Sequence, residues 1–168
     1  MIKILIMDVD GTLTDGKIYM GSHGEICKAF DIKDGAGIKE ILPNYGIVPV
    51  IITARQSDIV VNRCKELDIK EIHQNVRNKI DKIDQILRRK TEEDGVEYTY
   101  SDCAYIGDDI IDLQCINPIK HAGGITGCPA DATDEIKNAV DIVCKKNGGC
   151  GAVREFIQHL TKGNIMKF

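Results

Sequence analysis

Short apolar runs alternate along the chain with segments of helical periodicity. Three of the runs predict buried parallel strands, because they are short, rich in Ile, Val and Tyr, and lack the alternation of a half-exposed sheet. They are Ile2–Met7, Val48–Thr53 and Cys103–Ile106. Weaker runs predict further strands at Glu71–His73, His121–Ala122 and Ile142–Val143.

Apolar residues at helical spacing predict helices between and after these strands. One of them can be capped by Ser57 or Asp58, and another ends on three cations, 88–90, which suit the negative end of a helix dipole. The predicted helices are Ala36–Leu42, Ser57–Leu67, Asn78–Lys90, Asp109–Ile116, Asp134–Ala139 and Gly151–Leu160.

This repetition of strand and helix predicts an α/β fold, a doubly wound, mostly parallel sheet of Rossmann-like type. One segment, at about 15–31, breaks the alternation. There Lys17–Met20 and Glu25–Phe30, joined by Gly21–Gly24, predict an inserted β-hairpin. A length of 168 residues is close to the roughly 150 expected of one domain. We therefore expect a single domain over residues 1–168.

Composition and charge narrow the class of protein. With 43% hydrophobic and 29% charged residues, the chain is typical of a folded globular protein. Its net charge of -4 argues against a nucleic-acid partner, which requires a basic face. No apolar run approaches the roughly 18–20 residues of a membrane span, and Asp8 interrupts the first run too early for a signal peptide. The 7 cysteines form no C-x-x-C pair, so we expect reduced thiols in the cytoplasm.

The three strongest predicted strands end in reactive residues. The first runs into the motif DVDGT, which begins at Asp8. The second ends on the motif TAR from Thr53, and the third on the motif GDDIID, which contains Asp108. Lys79 opens the helix between the second and third of these strands. Since ligands of open α/β sheets bind outside the carboxyl ends of the strands, these groups are expected to converge.

Crowded carboxylates predict a cation, because like charges at a few ångströms repel strongly. Carboxylate oxygens suit Mg²⁺, which leaves positions open for a substrate phosphate. An aspartate can also attack phosphorus and form an aspartyl-phosphate, which divides a difficult displacement into two easier steps. Each feature alone has a structural alternative: an aspartate after a strand can be a satisfied polar group, and G-D-D can cap a helix.

Taken together, the order D-x-D-G-T … T … K … G-D-D-x-x-D resembles the four-motif signature of the haloacid dehalogenase superfamily, over nearly the entire chain. This resemblance implies that Asp8 is the nucleophile and a metal ligand. It implies that Asp10 protonates the leaving alcohol, then activates the hydrolytic water, and offers its main-chain carbonyl to the metal.

The same resemblance assigns the remaining motif residues. Thr53 and Lys79 would hold the phosphoryl oxygens. Asp108 would bind Mg²⁺ directly, while Asp109 and Asp112 would support the site from behind. Mg²⁺ is accordingly the expected cofactor.

The intervals between the motifs are too short for the cap domain that many members of the superfamily carry. Further stretches resemble one capless branch, the 3-deoxy-D-manno-octulosonate 8-phosphate phosphatases. These stretches are Thr14–Tyr19, Phe30–Gly37, Thr53–Arg55, Arg63–Cys64, Tyr105–Asp112 and Gly148–Glu155. The resemblance implies a homotetramer in which neighbouring hairpins and residues of a neighbouring subunit complete the sugar pocket.

Two arginines bear on the substrate. A related branch that hydrolyses nine-carbon sialic-type 9-phosphates has an acidic residue at the position of Arg55, so an arginine favours the eight-carbon sugar acid. Arg55 could bind the substrate carboxylate, or pair with Asp58 on the surface. Arg63 is either a sugar-site residue lent to a neighbouring subunit or an exposed helix charge. Cys150 and Lys33 stand where this branch usually has arginine.

The sequence therefore predicts a Mg²⁺-dependent phosphatase of a small sugar-acid phosphate. Two other classes remain as alternatives. A signalling receiver module is also a doubly wound domain that is phosphorylated on aspartate, but it lacks an acid at the position of Asp10. The other is a non-catalytic subunit of a sugar-nucleotide enzyme.

Overall fold

The computed structural model describes residues 1–161. Their centre is a 6-stranded, wholly parallel sheet with the strand order β5-β4-β1-β6-β7-β8. The strands are β1 (Ile4–Met7), β4 (Val48–Ile52), β5 (Glu71–His73), β6 (Cys103–Ile106), β7 (Ile125–Cys128) and β8 (Ile142–Val143). The predicted fold class is thus confirmed.

Helices cover both faces of this sheet. They are α1 (Ile32–Ala36), α2 (Asp58–Glu66), α3 (Lys79–Asp94), α4 (Leu113–His121), α5 (Asp134–Ala139) and α6 (Ala152–Leu160). Successive side chains of a strand point to opposite faces. Leu5 of β1 therefore packs in the core beneath α2 and α6, whereas Ile4 packs in the core beneath α3 and α4. Because both faces are covered, β1 is apolar throughout.

Several predicted elements differ from the structure. The helix expected over Asp109–Ile116 is a 3₁₀ turn at Ile110–Asp112 followed by α4. The strand expected at His121–Ala122 is wrong, because α4 continues past Pro118 and buries Ile119 before Gly123 turns the chain at φ +87°. The strand β7 follows this turn.

The helix expected over Ala36–Leu42 begins earlier, at Ile32, because the Asp31 carboxylate accepts the first free N–H groups of α1. It then widens into a π-helical turn at Gly37–Ile41. A 3₁₀ turn follows at Leu42–Tyr45.

The predicted hairpin is present and forms its own two-stranded antiparallel sheet of β2 (Tyr19–Gly21) and β3 (Gly24–Cys27). Its turn is shorter than expected, and a bridge between Thr14 and Phe30 closes its base. The cysteines are all free thiols. In the part of the chain that the structure describes, no helix is long and apolar enough to cross a bilayer. Residues 162–168, the end of the predicted domain, lie outside the described residues.

Candidate functional site

The carboxyl ends of β1, β4 and β6 meet at a cleft of about 270 Å³. Since β1 lies between β4 and β6 in the sheet, the residues that follow these strands are brought together at one edge. The predicted site residues that line this cleft are Asp8, Asp10, Thr53, Arg55, Lys79, Asp108, Asp109 and Asp112.

Lys79 places an ammonium group at the bottom of the cleft. Its side chain is fully buried and donates hydrogen bonds to Oδ1 of Asp8 and to Oδ1 of Asp112, each at 2.7 Å. The first turn of α3 is held by Asn78, whose side chain caps the helix, and by Gln114, which accepts the main-chain N–H of Lys79 at 2.9 Å. Burial alone would lower the pKa of Lys79, but the two carboxylates outweigh it and raise the pKa, so the group stays charged.

The Asp112 carboxylate accepts four hydrogen bonds, two at each of its oxygens. Its Oδ1 accepts from Lys79 and from the Tyr105 hydroxyl at 2.6 Å. Its Oδ2 accepts the main-chain N–H groups of Asp108 and Asp109, at 3.0 and 3.2 Å. The residue before them is a glycine because a Cβ at Gly107 would lie 2.4 Å from the Asp112 carboxyl carbon. Asp112 therefore fixes the loop that presents Asp108.

Tyr105 is a site residue that the sequence analysis did not single out. It looked like an apolar strand residue, and it is fully buried in β6. Burial and the charge of Asp112 raise the pKa of its hydroxyl, which remains a hydrogen-bond donor. The hydrogen bond that this hydroxyl donates to Asp112 explains why a tyrosine, rather than a phenylalanine, occupies this position in β6.

Carboxylate oxygens of Asp8, Asp108 and Asp112 lie within 4.8 Å of one another. Burial raises the pKa of Asp8 to about 6, although Lys79 opposes this shift. Burial and the charges of Asp8 and Asp112 raise the pKa of Asp108 to about 8. Protein donors occupy Asp112, so Asp8 and Asp108 are the carboxylates that can share a cation, and a cation would relieve their repulsion.

Asp108 also approaches the catalytic loop closely. A Cβ at Gly11 would lie 2.0 Å from its carboxylate, and Gly11 has a φ of +92°, so this position requires glycine. The hydroxyl of Thr12 donates to Asp108 at 3.1 Å. These contacts explain why a glycine and then a threonine follow Asp10 in the motif DVDGT.

Two residues of the hairpin segment join the cleft, and no sequence pattern indicated them. The Lys28 ammonium contacts the Asp10 carboxylate and lies 2.8 Å from Oε1 of Glu25. Its side chain is only 1% exposed. Glu25 in turn accepts the Ser57 hydroxyl at 2.7 Å, so Ser57 binds the hairpin with its side chain and does not cap α2 with it. The network links the hairpin to the proposed acid–base residue.

Arg55 lies at the mouth of the cleft, half exposed. Its Nε is 3.7 Å from Asp10 and its Nη2 is 3.6 Å from Glu25. Its observed ionic partners are thus site residues, and not Asp58 as the surface alternative expected. The looseness of both contacts leaves the guanidinium available to a ligand.

Asp109 and Arg63 are placed differently. The Asp109 carboxylate accepts the N–H of Ile110 at 2.7 Å and caps the 3₁₀ turn that follows, in agreement with the helix-cap alternative. Arg63 lies outside the cleft: its guanidinium pairs with Glu66 at 2.8 Å and stands 5.7 Å from the Phe30 ring centroid. Its side chain is 18% exposed, which does not fit a free surface charge.

A comparison with protein-family models finds no match. The 3-deoxy-D-manno-octulosonate 8-phosphate phosphatase of Escherichia coli K12 is 38% identical to this chain over 154 residues, which cover 92% of this chain and 76% of that protein. The cobalt-bound phosphatase of the same name from Haemophilus influenzae superposes with a TM-score of 0.81 at 36% identity, covering 96% of this chain and 88% of the other. The enzyme of Moraxella catarrhalis, in complex with magnesium, phosphate and KDO, gives a TM-score of 0.83 at 37% identity, with coverages of 96% and 86%.

Proposed function

The chain belongs to the 3-deoxy-D-manno-octulosonate 8-phosphate phosphatases of the haloacid dehalogenase superfamily, and from this we propose that it hydrolyses that sugar-acid phosphate with Mg²⁺ through an aspartyl-phosphate. It is accordingly a phosphoric monoester hydrolase. The observation that carries the mechanism is the ion pair between Asp8, which follows the central strand, and the buried Lys79, with the carboxylates of Asp108 and Asp112 beside it.

In the proposed reaction Asp8 attacks phosphorus, and a bond from its carboxylate oxygen replaces the ester bond to the sugar. Asp10 gives its proton to the departing alkoxide oxygen. It then takes a proton from water, whose oxygen attacks the phosphoryl group, releases phosphate and restores the Asp8 carboxylate. Lys79 and the Thr53 hydroxyl would bind the phosphoryl oxygens. Lys28 holds the Asp10 side chain toward the cleft.

Asp8 and Asp108 fit a Mg²⁺ ion, together with the main-chain carbonyl of Asp10. Both side chains carry hard oxygen ligands, and both have carboxyl pKa values raised by burial in a crowded acidic site. Bound Mg²⁺ would lower the repulsion between the Asp8 carboxylate and the anionic phosphate. The magnesium and cobalt in the related structures support this assignment.

Removal of divalent metal tests the proposed function. We expect excess chelator to reduce phosphate release from 3-deoxy-D-manno-octulosonate 8-phosphate by at least about 100-fold, since metal-ion stabilisation contributes several kcal/mol to such reactions. Added Mg²⁺ should restore the rate. Circular dichroism in chelator serves as the control for folding. Undiminished turnover in chelator would contradict the metal assignment.

Arg55→Ala tests the substrate. A charge-assisted hydrogen bond to a carboxylate is worth about 1.5–3 kcal/mol, so KM for eight-carbon keto-acid phosphates should rise by roughly 10-fold or more. p-Nitrophenyl phosphate has no carboxylate, and its KM should change little. Because Arg55 also lies near Asp10, the informative quantity is the ratio of the two effects. Arg88→Ala, an exposed arginine away from the cleft, is the matched control.

Equal effects of Arg55→Ala on both substrates would remove the case for a carboxylate contact. Comparing kcat/KM for eight-carbon 8-phosphates and nine-carbon 9-phosphates decides between the two sugar acids. Higher kcat/KM with a nine-carbon substrate would overturn the proposed substrate while leaving the phosphatase chemistry in place.

We further propose that the chain forms a homotetramer through the hairpin. Ile18, Met20 and Ile26 are 40%, 63% and 66% exposed, an apolar surface on a two-stranded sheet that has little packing of its own. A neighbouring subunit seated there would bury these side chains and close the cleft. Arg63 of this chain could then serve a neighbour's site, as the family resemblance implies.

Met20→Asp combined with Ile26→Asp should dissociate the tetramer and lower kcat/KM for the sugar-acid phosphate, because buried charge disfavours the interface. Sedimentation velocity measures the assembly state. Val96→Asp, at an apolar residue that is 56% exposed outside the hairpin, should leave assembly unchanged. A fully active wild-type monomer would refute the proposal.

A further inference from the structure

A second cavity of about 580 Å³ lies on another part of the protein, between the start of α1, the loop after β8 and the first turns of α6. Of the residues that the structure describes, four cationic ones line it: Lys33 from α1, Lys145 and Lys146 from the loop, and Arg154 from α6. None of the four lines the catalytic cleft. We call this feature the basic cavity.

The charged side chains around the basic cavity are mostly cationic. Glu155 is the acidic residue in its lining, and its carboxylate accepts the main-chain N–H groups of Lys145 at 2.9 Å and Lys146 at 3.1 Å. Within residues 1–161, no carboxylate pairs with the side chains of Lys33, Lys145, Lys146 or Arg154. A positive site of this kind stands out on a chain whose net charge is -4.

Hydrogen bonds fix the main-chain segments that carry these charges. Glu155 fixes the lysine loop against α6 through the two main-chain bonds. The Arg154 N–H donates to Asp34 at 2.7 Å, which ties α6 to α1. Its side-chain Nε is buried and has no hydrogen-bond partner among the described residues. Gly151, which caps the nine-residue helix α6 at φ +98°, also lines the cavity.

We propose that the basic cavity binds a small molecule bearing two or more phosphate groups. Unpaired cations around a concavity concentrate anions, and arginine and lysine are the side chains that bind phosphate, the first by its planar fork and the second as a point charge. The volume falls within the roughly 300–1,000 Å³ of small-molecule sites and exceeds what one phosphate fills. Among residues 1–161, no tyrosine, phenylalanine or tryptophan lines the cavity, so we expect recognition by charge and not by ring stacking.

The basic cavity adjoins the catalytic loop. Gly149 donates its N–H to the Thr12 carbonyl at 3.2 Å, and a Cβ at Gly148 would lie 1.9 Å from the Gly11 carbonyl oxygen. The next residue, Cys150, lines the basic cavity. A ligand there would contact the segment that packs on the catalytic loop. Its binding can therefore be measured by a change in turnover as well as by calorimetry.

Isothermal titration of the full chain with inorganic pyrophosphate and with ADP tests the proposal. Lys145→Gln with Lys146→Gln should weaken binding by about 10-fold or more, because two phosphate contacts are lost. Lys65→Gln with Lys70→Gln, which removes the same charge from exposed residues elsewhere, should change it less than about 2-fold. Both double variants should keep wild-type turnover of p-nitrophenyl phosphate.

The outcomes separate the sources of the phosphate groups. Tighter binding of ADP supports an organic polyphosphate, and tighter binding of pyrophosphate supports an inorganic one. Lys33→Gln provides a second, independent loss of affinity should the first double variant fold poorly. Absence of binding by both probes at millimolar concentration, or equal weakening in the two double variants, would overturn the proposal. Neither result would bear on the phosphatase itself.

Discussion

Asp8→Asn should reduce turnover of every phosphomonoester by roughly 10⁴-fold or more, the scale seen when a covalent nucleophile is removed. An amide is a poor nucleophile and cannot form the acyl phosphate. Its oxygen can still accept the hydrogen bond from Lys79, so the geometry of the cleft should survive. Steady-state phosphate release from the sugar-acid substrate and from p-nitrophenyl phosphate measures the effect.

The loss should not be a loss of folding. Burial raises the pKa of the Asp8 carboxyl to about 6, so near neutral pH its charge opposes folding, and a neutral side chain removes that cost. We therefore expect the Tm of Asp8→Asn in chelator to be no lower than that of the wild type. Asp58→Asn, an exposed aspartate at the start of α2, is the matched control and should keep full activity. Wild-type turnover in Asp8→Asn would eliminate the covalent mechanism.

Lys79→Met should be the most destabilising substitution in the cleft, by about 3–5 kcal/mol. Removing one partner of a buried ion pair leaves uncompensated charge in the interior, which is costlier than the pair itself was worth. Here the fully buried Lys79 neutralises both Asp8 and Asp112, so both lose their partner. Urea unfolding at pH 8 in chelator measures the change. Lys82→Met, on the same helix but partly exposed, should cost far less.

The loss of unfolding free energy caused by Lys79→Met should become smaller as the pH falls. In the wild type Lys79 lowers the pKa of Asp8, which burial raises to about 6, so without Lys79 this pKa rises further. The folded variant then holds a proton that the unfolded chain, with an ordinary value of 3.8, releases. Folding is thereby favoured at low pH, and this gain is lost as the pH rises through the folded pKa. A difference from wild type that is equal at pH 5 and pH 8 would contradict the burial of unpaired charge.

The central part of the site could be predicted because it depends on one regularity of parallel sheets. Asp8, Thr53 and Asp108 each follow a buried strand, and neighbouring parallel strands end at the same edge. Their convergence could therefore be predicted without any interatomic distance. Lys79 was predictable for a related reason, since it opens a helix that starts at that edge.

Other site residues depend on contacts that no local pattern records. Lys28 reaches Asp10, and Glu25 reaches Lys28 and Arg55, because the hairpin lies beside the cleft. The spacing of Lys28 and Glu25 in the sequence does not indicate this. Tyr105 has the composition of a core strand residue, and only the position of Asp112 across from it makes its hydroxyl a donor. Arg63 could be singled out by resemblance, yet its side chain lies against Phe30 in its own chain.

The errors in the predicted secondary structure have a similar origin. The helix predicted to end at Ile116 continues to His121, because burial of Ile116 and Ile119 against the sheet outweighs the weak local preference. The strand then begins four residues later than expected, at Ile125 instead of His121. The helix at Ile32 was missed because its capping residue, Asp31, is separated from the apolar residues that the periodicity detects.

The amino-acid sequence by itself determined the α/β class, the edge of the sheet that carries the chemistry and the phosphatase motifs, because alternation of strand and helix constrains topology and strand ends carry the reactive groups. Only the tertiary structure decided the charge state and partners of those groups. Desolvation and ion pairing depend on which side chains meet in space, as Lys79 meets Asp8 and Asp112 from distant parts of the chain. The basic cavity has the same cause, since its cations come from segments that become neighbours only when α6 packs against α1.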